Sequence, residues 1–424
     1  MQCLVLKEYN NKFKDLILYY YNIYNSIMSY EILDLDTNRN YNFDDINSLN
    51  NCVINNNIQN IKILKTPNFI ENEFLFCCEK LQNIDLSGLS NVTKIGDGFL
   101  SYCRLKNIDL SPFSNVTEIG DDFLFRCHEL EIIDLSPLSN VTEIGQNFLS
   151  FCINLKNIDL SPLSNVTEIR HDFLHFCINL KNIDLSPFSN VTKIGDKFLD
   201  NCKTLESIDL SPLSNVTEIG SWFLFGCENL QNIDLSPLSN IKVIRNNFLH
   251  NCYKLESIDL SPFSNVTEIG NWFLSCCFEL ESIDLSPLSN VTEIGDYFLF
   301  GCEKLQNIDL SPLSNVTKIG DSFLNDCRKL ESIDLSPFSN VTKIGNRYLF
   351  DCFELKSIDL SGLSNITEIG DAFLSYCPNL KSIDLSPFSN VIKIGDRFLD
   401  KCDNLESINS RGLEWFYHDK TVVK

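Results

Sequence analysis

Several residue sets in this sequence have types and spacings that could do chemistry. His171 and His175, in RHDFLHFC, stand four apart, the spacing at which a helix offers two imidazoles to one zinc ion. The intervening glutamate of a zinc protease is missing and the pair occurs in one place only, so a structural role is expected and no metal site. Aspartate recurs at Asp85, Asp109, Asp134, Asp159, Asp184, Asp209, Asp234, Asp259, Asp284, Asp309, Asp334, Asp359 and Asp384. A row of carboxylates can recruit a basic segment or cations. It lacks the carboxylate-plus-glycine spacing of a calcium loop. The functional reading makes Asp134 to Asp334 an acidic binding strip. The bland one has each carboxylate bonded by nearby Asn and Ser, with pKa values shifted upward along the row by like-charge repulsion.

Cysteine invites redox chemistry, yet fourteen of the eighteen cysteines fall one per repeat from Cys78 to Cys402, the behaviour of a core position. Buried thiols without disulfides are expected, since Cys packs as a small apolar side chain. Asn-Val-Thr or Asn-Ile-Thr occurs in eleven of thirteen full units, from Asn91 to Asn365. On an exported chain these are glycosylation acceptors. Their regularity favours a turn in which Asn and Thr bond local backbone. The Ser-Pro pairs read as turn starters before they read as kinase targets. Active sites need one asymmetric constellation, and this chain supplies the same residues over and over. No enzyme activity and no cofactor are expected.

What positions these residues is a period of 25, seen cleanly in LESIDLSPLSNVTEIGDYFLFGCEK from Leu280 to Lys304. Leu280, Ile283 and Leu285 give a short strand with Ser282 and Asp284 on its outward face. Ser286-Pro287 places a capping hydroxyl before a proline suited to the first helical position. Val291 and Ile294 form a second apolar pair, Gly295 is read as a positive-φ turn, and Asp296 as the cap of a turn carrying Phe298, Leu299 and Cys302. One coil exposes three apolar edges, so coils must stack on one another. The fold class is a right-handed repeat solenoid with a parallel sheet on one face and short helical turns or loops elsewhere.

The segment NVTEIGDYFLFGCEKLQNIDL, from Asn290 to Leu310, resembles the BspA-like class of leucine-rich repeats, which share a V-T-x-I-G…F-x-x-C-x-x-L-x-x-I skeleton. The likeness runs from about Ile58 to Asn409, with two extra residues around Ser-Pro-Leu/Phe. It implies a leucine-rich-repeat superhelix and a binding scaffold, or, as in some members, a surface adhesin. Residues 58–409 then hold about fourteen repeats. Residues 1–57 form an N-terminal cap or small helical segment, with a helix in LILYYYNIYNSIM and a strand in YEILDLD, and 410–424 a C-terminal cap using Trp415 and Phe416. Phenylalanine after the proline at Phe113, Phe188, Phe263 and Phe338, and Arg170 and Arg245 in place of the turn glycine, recur 75 residues apart. Copying of three-repeat blocks explains this, so uniform columns say little about selection. Asn- and Ile-rich stretches such as NNCVINNNIQNIKIL look like AT-rich coding of amoebal or giant-virus type.

The net charge of −23 over 424 residues argues against a phosphate-binding face. No run approaches the ~18 apolar residues that cross a bilayer. Charges at Lys7, Glu8, Lys12, Lys14 and Asp15 interrupt any signal-peptide core, which points to the interior of a cell. The expected protein is a monomeric, non-enzymatic scaffold binding a protein partner of basic character, with no nucleic acid and no membrane insertion. A glycosylated surface adhesin, and an adaptor that docks by residues 1–57 while the repeats select a client, are the alternatives.

Overall fold

The computed structural model describes residues 29–411 and Leu413. The helix expected in LILYYYNIYNSIM and the cap expected at Trp415 and Phe416 lie outside the described residues. The chain forms two compact units, 1–166 and 167–424.

The first unit opens with strands β1 (Tyr30–Asp34) and β2 (Arg39–Phe43), paired antiparallel. Asp34 closes the turn by accepting the Asp36 N–H at 2.9 Å and the Thr37 hydroxyl at 2.6 Å. Helix α1 (Ile46–Asn55) starts where Asp45 accepts the Ser48 N–H at 2.8 Å, and it buries Ile46, Leu49 and Val53 at helical spacing. β3 (Asn60–Lys65) lies antiparallel to β1 on one side and parallel to β4 (Asn83–Asp85) on the other, so it converts a hairpin edge into the seat of the first coil. Buried Asn50 ties the helix to that coil, donating to Glu73 O at 2.7 Å and accepting from Leu75 N at 2.9 Å. The strand expected in YEILDLD and the strand around Ile61 and Ile63 are present, whereas β2 and α1 are additions that the periodicity did not reveal.

Both units then repeat one coil, and Leu280–Lys304 of the second unit is typical. Leu280, Leu285, Leu288, Val291, Ile294, Phe298, Leu299 and Cys302 are all buried. Ser286–Leu288 is a single 3-10 turn with Pro287 at its start. No side chain caps it from the expected serine position; Leu285 occupies the cap, and the Ser286 N–H donates instead to Asp284 Oδ1 at 2.8 Å. The most regular parallel pairing lies at Glu293–Ile294, which joins Glu268–Ile269 on one side and Lys318–Ile319 on the other. The Leu-x-x-Ile-x-Leu edge pairs as strand only in places, such as Ser332–Asp334 with Ser357–Asp359.

Glycine and backbone exchange roles relative to the expectation. Gly295 has no positive φ; a Cβ there would lie 2.6 Å from the Asn271 backbone N and against its side-chain oxygen, so close approach of the neighbouring coil selects glycine. Left-handed φ falls instead on alternate residues of the next segment, Tyr297 (60°), Leu299 (53°) and Gly301 (69°). For non-glycine residues this costs about 1–2 kcal/mol each. The alternation turns successive amides outward: Tyr297 N and Gly301 N donate to Asp321 O and Asn325 O of the following coil, and Leu299 N donates to Phe273 O of the preceding one. Those bonds, at 2.7–3.0 Å, recover what the conformation costs.

Ring stacking fixes the coil spacing from inside. Phe298 lies 5.5 Å from Phe273 and 5.4 Å from Phe323, nearly parallel to both, and Phe99, Phe123 and Phe148 stack likewise in the first unit. Phe263 meets Phe248 edge-on at 5.8 Å, which is how phenylalanine is accommodated after the proline. Each such ring buries apolar area worth about 1.5–3 kcal/mol. Phe298→Ala should cost roughly 3–5 kcal/mol, with hydrogen exchange accelerating first in the coils that flank it. Ile392→Ser, at a site 77% exposed, should change stability little in the same denaturation experiment.

Candidate binding surface

The aspartate row is exposed and its members are identically held. In the first unit Asp134 accepts the Ser136 N–H at 2.8 Å and Asp159 the Ser161 N–H at 2.9 Å. In the second, Asp184, Asp209, Asp234, Asp259, Asp284, Asp309 and Asp334 each accept the amide two residues on, at 2.8–2.9 Å. Only Oδ1 makes this bond. At Asp259 and Asp284 the second oxygen also meets the serine hydroxyl at 3.0 Å.

These bonds reverse the expected direction of titration. Asp159, Asp209 and Asp284 are held below the ordinary carboxylate range, first by the backbone amide of Ser161, Ser211 and Ser286 and then by the same serine's hydroxyl. A hydrogen bond to the ionised form outweighs repulsion between neighbours screened by water. Asp85, which also meets Lys62 at 2.8 Å, is pushed down to about 2.

A second polar column follows the glycine. Asp296, expected to cap its own turn, accepts instead the N–H of Asp321 in the following coil at 2.7 Å, and its own N–H donates to Asn271 Oδ1 at 2.8 Å. The chain of bonds continues through Asn346 and Asp371. His171 belongs to this column, taking the Asp196 N–H on Nδ1 at 2.9 Å. His175 is buried, with Nδ1 3.2 Å from Asp200 Oδ2. The segment is no helix, so the spacing of four does not have its helical meaning here; no group of three metal-binding side chains occurs among the described residues. The Asn-x-Thr asparagines likewise bond outward rather than locally: Asn290 Nδ2 donates to Ser264 O of the preceding coil at 2.8 Å.

The coil-to-coil variation that uniform columns conceal gathers on the left-handed segment. Counting Leu280 as first, position eighteen reads Lys197, Trp222, Asn247, Trp272, Tyr297, Ser322, and position twenty-one reads Asp200, Phe225, His250, Ser275, Phe300. These side chains converge in the second unit. Trp272 stacks on Tyr297 at 3.7 Å and on His250 at 4.8 Å, Phe225 meets His250 edge-on at 4.9 Å, and Trp222, 36% exposed, meets Phe225 at 4.7 Å. A comparison of the repeats column by column would have marked this edge, since it is where near-identical copies have diverged. The Thr-Glu-Ile-Gly edge of the same unit carries shallow grooves, one of about 510 Å3 beside Lys318, Asp321 and Glu368.

The model of the BspA type leucine rich repeat region, in six copies, matches residues 68–206, 167–306, 238–337 and 292–413. The chain belongs to the BspA-type leucine-rich repeat family. No curated protein matches it. Among solved structures it is similar to a leucine-rich repeat protein from Bacteroides ovatus, at 20% identity over 86% of this chain and 94% of that one, TM-score 0.45. The functional domain of InlJ from Listeria monocytogenes, described as including a cysteine ladder, is 18% identical over 76% of this chain, which spans 62% of that domain, TM-score 0.43. A leucine-rich repeat protein from Eubacterium ventriosum is 18% identical over 82% and 90% of the two chains, TM-score 0.40. At such identities the likeness speaks to the fold alone. The two columns of polar bonds are what this BspA-type array adds to its apolar stack.

His250 gives the aromatic edge a pH signature. Burial depresses its pKa to about 4, against about 6.5 when unfolded. The unfolded chain therefore binds the proton more readily, and stability present above about pH 6.5 is lost as pH falls toward 4. His250→Phe, which installs the residue found at Phe225 and Phe300, should flatten urea-measured stability across that window.

Proposed function

We propose that this chain is a non-enzymatic scaffold that binds a protein partner of basic character along the aspartate row. The observation that carries this reading is the division within each carboxylate. One oxygen closes the turn to the serine amide while the side chain stays exposed, as at Asp209, Asp259 and Asp309. Asparagine would close the same turn without a charge, so the charge is surplus to the turn. Oriented, ionised carboxylates in a row attract and align a basic segment. Leucine-rich repeat proteins are generally protein-binding or adhesion scaffolds. The diverged aromatic edge around Trp222 and Trp272 supplies features by which one partner would be told from another.

This reading sets the protein inside a cell. The buried cysteine column supports it: thiols such as Cys302, whose Sγ lies 3.3 Å from Leu274 O, need no oxidising compartment. No helix among the described residues is long and apolar enough to cross a membrane. The adhesin reading would place a glycan on the Asn290 Nδ2 that here donates to Ser264 O of the preceding coil at 2.8 Å. Intact mass of native material showing glycan on Asn290 would favour that alternative.

The test replaces Asp234, Asp259, Asp284 and Asp309 together by asparagine. Binding of a lysine-rich peptide at about 50 mM salt should weaken roughly tenfold or more, the difference vanishing at high salt. Thermal unfolding should barely change, because asparagine keeps the acceptor; the matching alanine set should unfold earlier. Equal peptide affinity in the parent and asparagine proteins would overturn the acidic strip.

A further inference from the structure

Arg126, in the first unit, is out of keeping with so acidic a chain. It stands on left-handed backbone (φ 58°), and its guanidinium carbon lies 4.7 Å from the ring centre of Phe151, 5.4 Å from Phe125 and 5.5 Å from Tyr102. Arg328 of the second unit shows the ordinary arrangement, with Asp326 at 2.7 Å and Asp351 at 3.4 Å. Arg126 has no such partner among the described residues, and its Nε–H is buried without an acceptor. Rings attract the cation but accept no hydrogen bond in the guanidinium plane, so burial there leaves donors unsatisfied.

The side chain lines an open cup of about 380 Å3 whose other walls include Tyr102, Arg104, His128, Glu79 and Glu129. Arg104 and Glu129 stand 4.0 Å apart, at the limit of an ion pair. With Arg104 set against Glu129, Arg126 is the cation of the cup without an ion-pair partner among the described residues, and Glu79 lines the same cup. We infer that the first unit holds a binding site for a single carboxylate group, seated on Arg126 and flanked by Arg104 and His128. One carboxylate matches one guanidinium in charge and in planar two-oxygen geometry. Against Glu79 and Glu129, a phosphate dianion would bring one more negative charge into the cup than a carboxylate does. The group comes from a small free acid or from a Glu or Asp side chain of a partner. This site is separate from the aspartate row and is built on a cation rather than on carboxylates.

His128 reports on it. Burial, and then the charge of Arg126, hold its pKa below the ordinary imidazole value. A carboxylate on Arg126 cancels that charge and must raise it. With five histidines in the chain, the His128 ring protons can be followed by NMR in the full-length protein. The probes are sodium benzoate, an end-blocked peptide containing one glutamate, and inorganic phosphate. Saturating benzoate should move the His128 midpoint upward. Arg126→Met should raise the midpoint without ligand and abolish the response to benzoate, weakening its binding at least about tenfold. Arg126→Lys, which keeps charge and stem, should bind benzoate with intermediate affinity. A response to the peptide alone would identify the source as a partner's side chain. The site is overturned if neither carboxylate moves His128, if R126M responds like the parent, or if phosphate acts more strongly than benzoate; Arg126 would then be a packing residue.

Discussion

The structure depends on one constraint: a coil cannot satisfy its own backbone. Within Leu280–Lys304 the amides of Glu281, Thr292, Gly295, Tyr297, Leu299 and Gly301 find their acceptors in the coil before or the coil after. The apolar stack obeys the same spacing, because Phe298 can lie parallel to both Phe273 and Phe323 only when the coils repeat in register. Backbone bonding, ring stacking and the cysteine-to-carbonyl contacts therefore demand one common translation. Glycine at 295 follows from that closeness, since the adjacent coil occupies the space where a side chain would begin.

This constraint divides the polar residues into those that serve the stack and those left over. The column containing Asn271, Asp296 and Asp321 is spent on amides of the following coil, and the Asn-x-Thr asparagines on carbonyls of the preceding one. The outward aspartates serve the turn with one oxygen only. Exposed Lys–Glu pairs along the strand edge, such as Lys343 with Glu368 at 3.1 Å, contribute at most about 1 kcal/mol each and align neighbours more than they hold them.

Much of this was legible in the sequence because a stacked coil leaves a strong trace: Leu, Ile, Phe and Cys at fixed offsets name the core without any knowledge of the backbone. The roles of Gly295, Asp296 and Asn290 were not legible, since periodicity marks a position as special without saying whether its partner lies in the same coil or the next. The left-handed run at Tyr297, Leu299 and Gly301 was hidden because residues of ordinary type adopt it under the pull of neighbouring coils. Helix α1 escaped because a single short amphipathic helix, Ile46–Asn55, is overshadowed by Asn-rich composition. Arg126 escaped for the opposite reason: an isolated arginine has no pattern, and its meaning arises only when three aromatic rings surround it.

Sameness along the aspartate row has a statistical consequence. From Asp184 to Asp384 the second unit offers nine copies of one seat, each turned by the same serine bond. A ligand occupying one seat at a time would gain about RT ln 9, roughly 1.3 kcal/mol, from multiplicity alone. It could also step from seat to seat, since each is turned by the same amide bond. On the proposed reading the row would gather and orient a partner, while the dissimilar edge at Trp222, His250 and Trp272 would tell it where to stop.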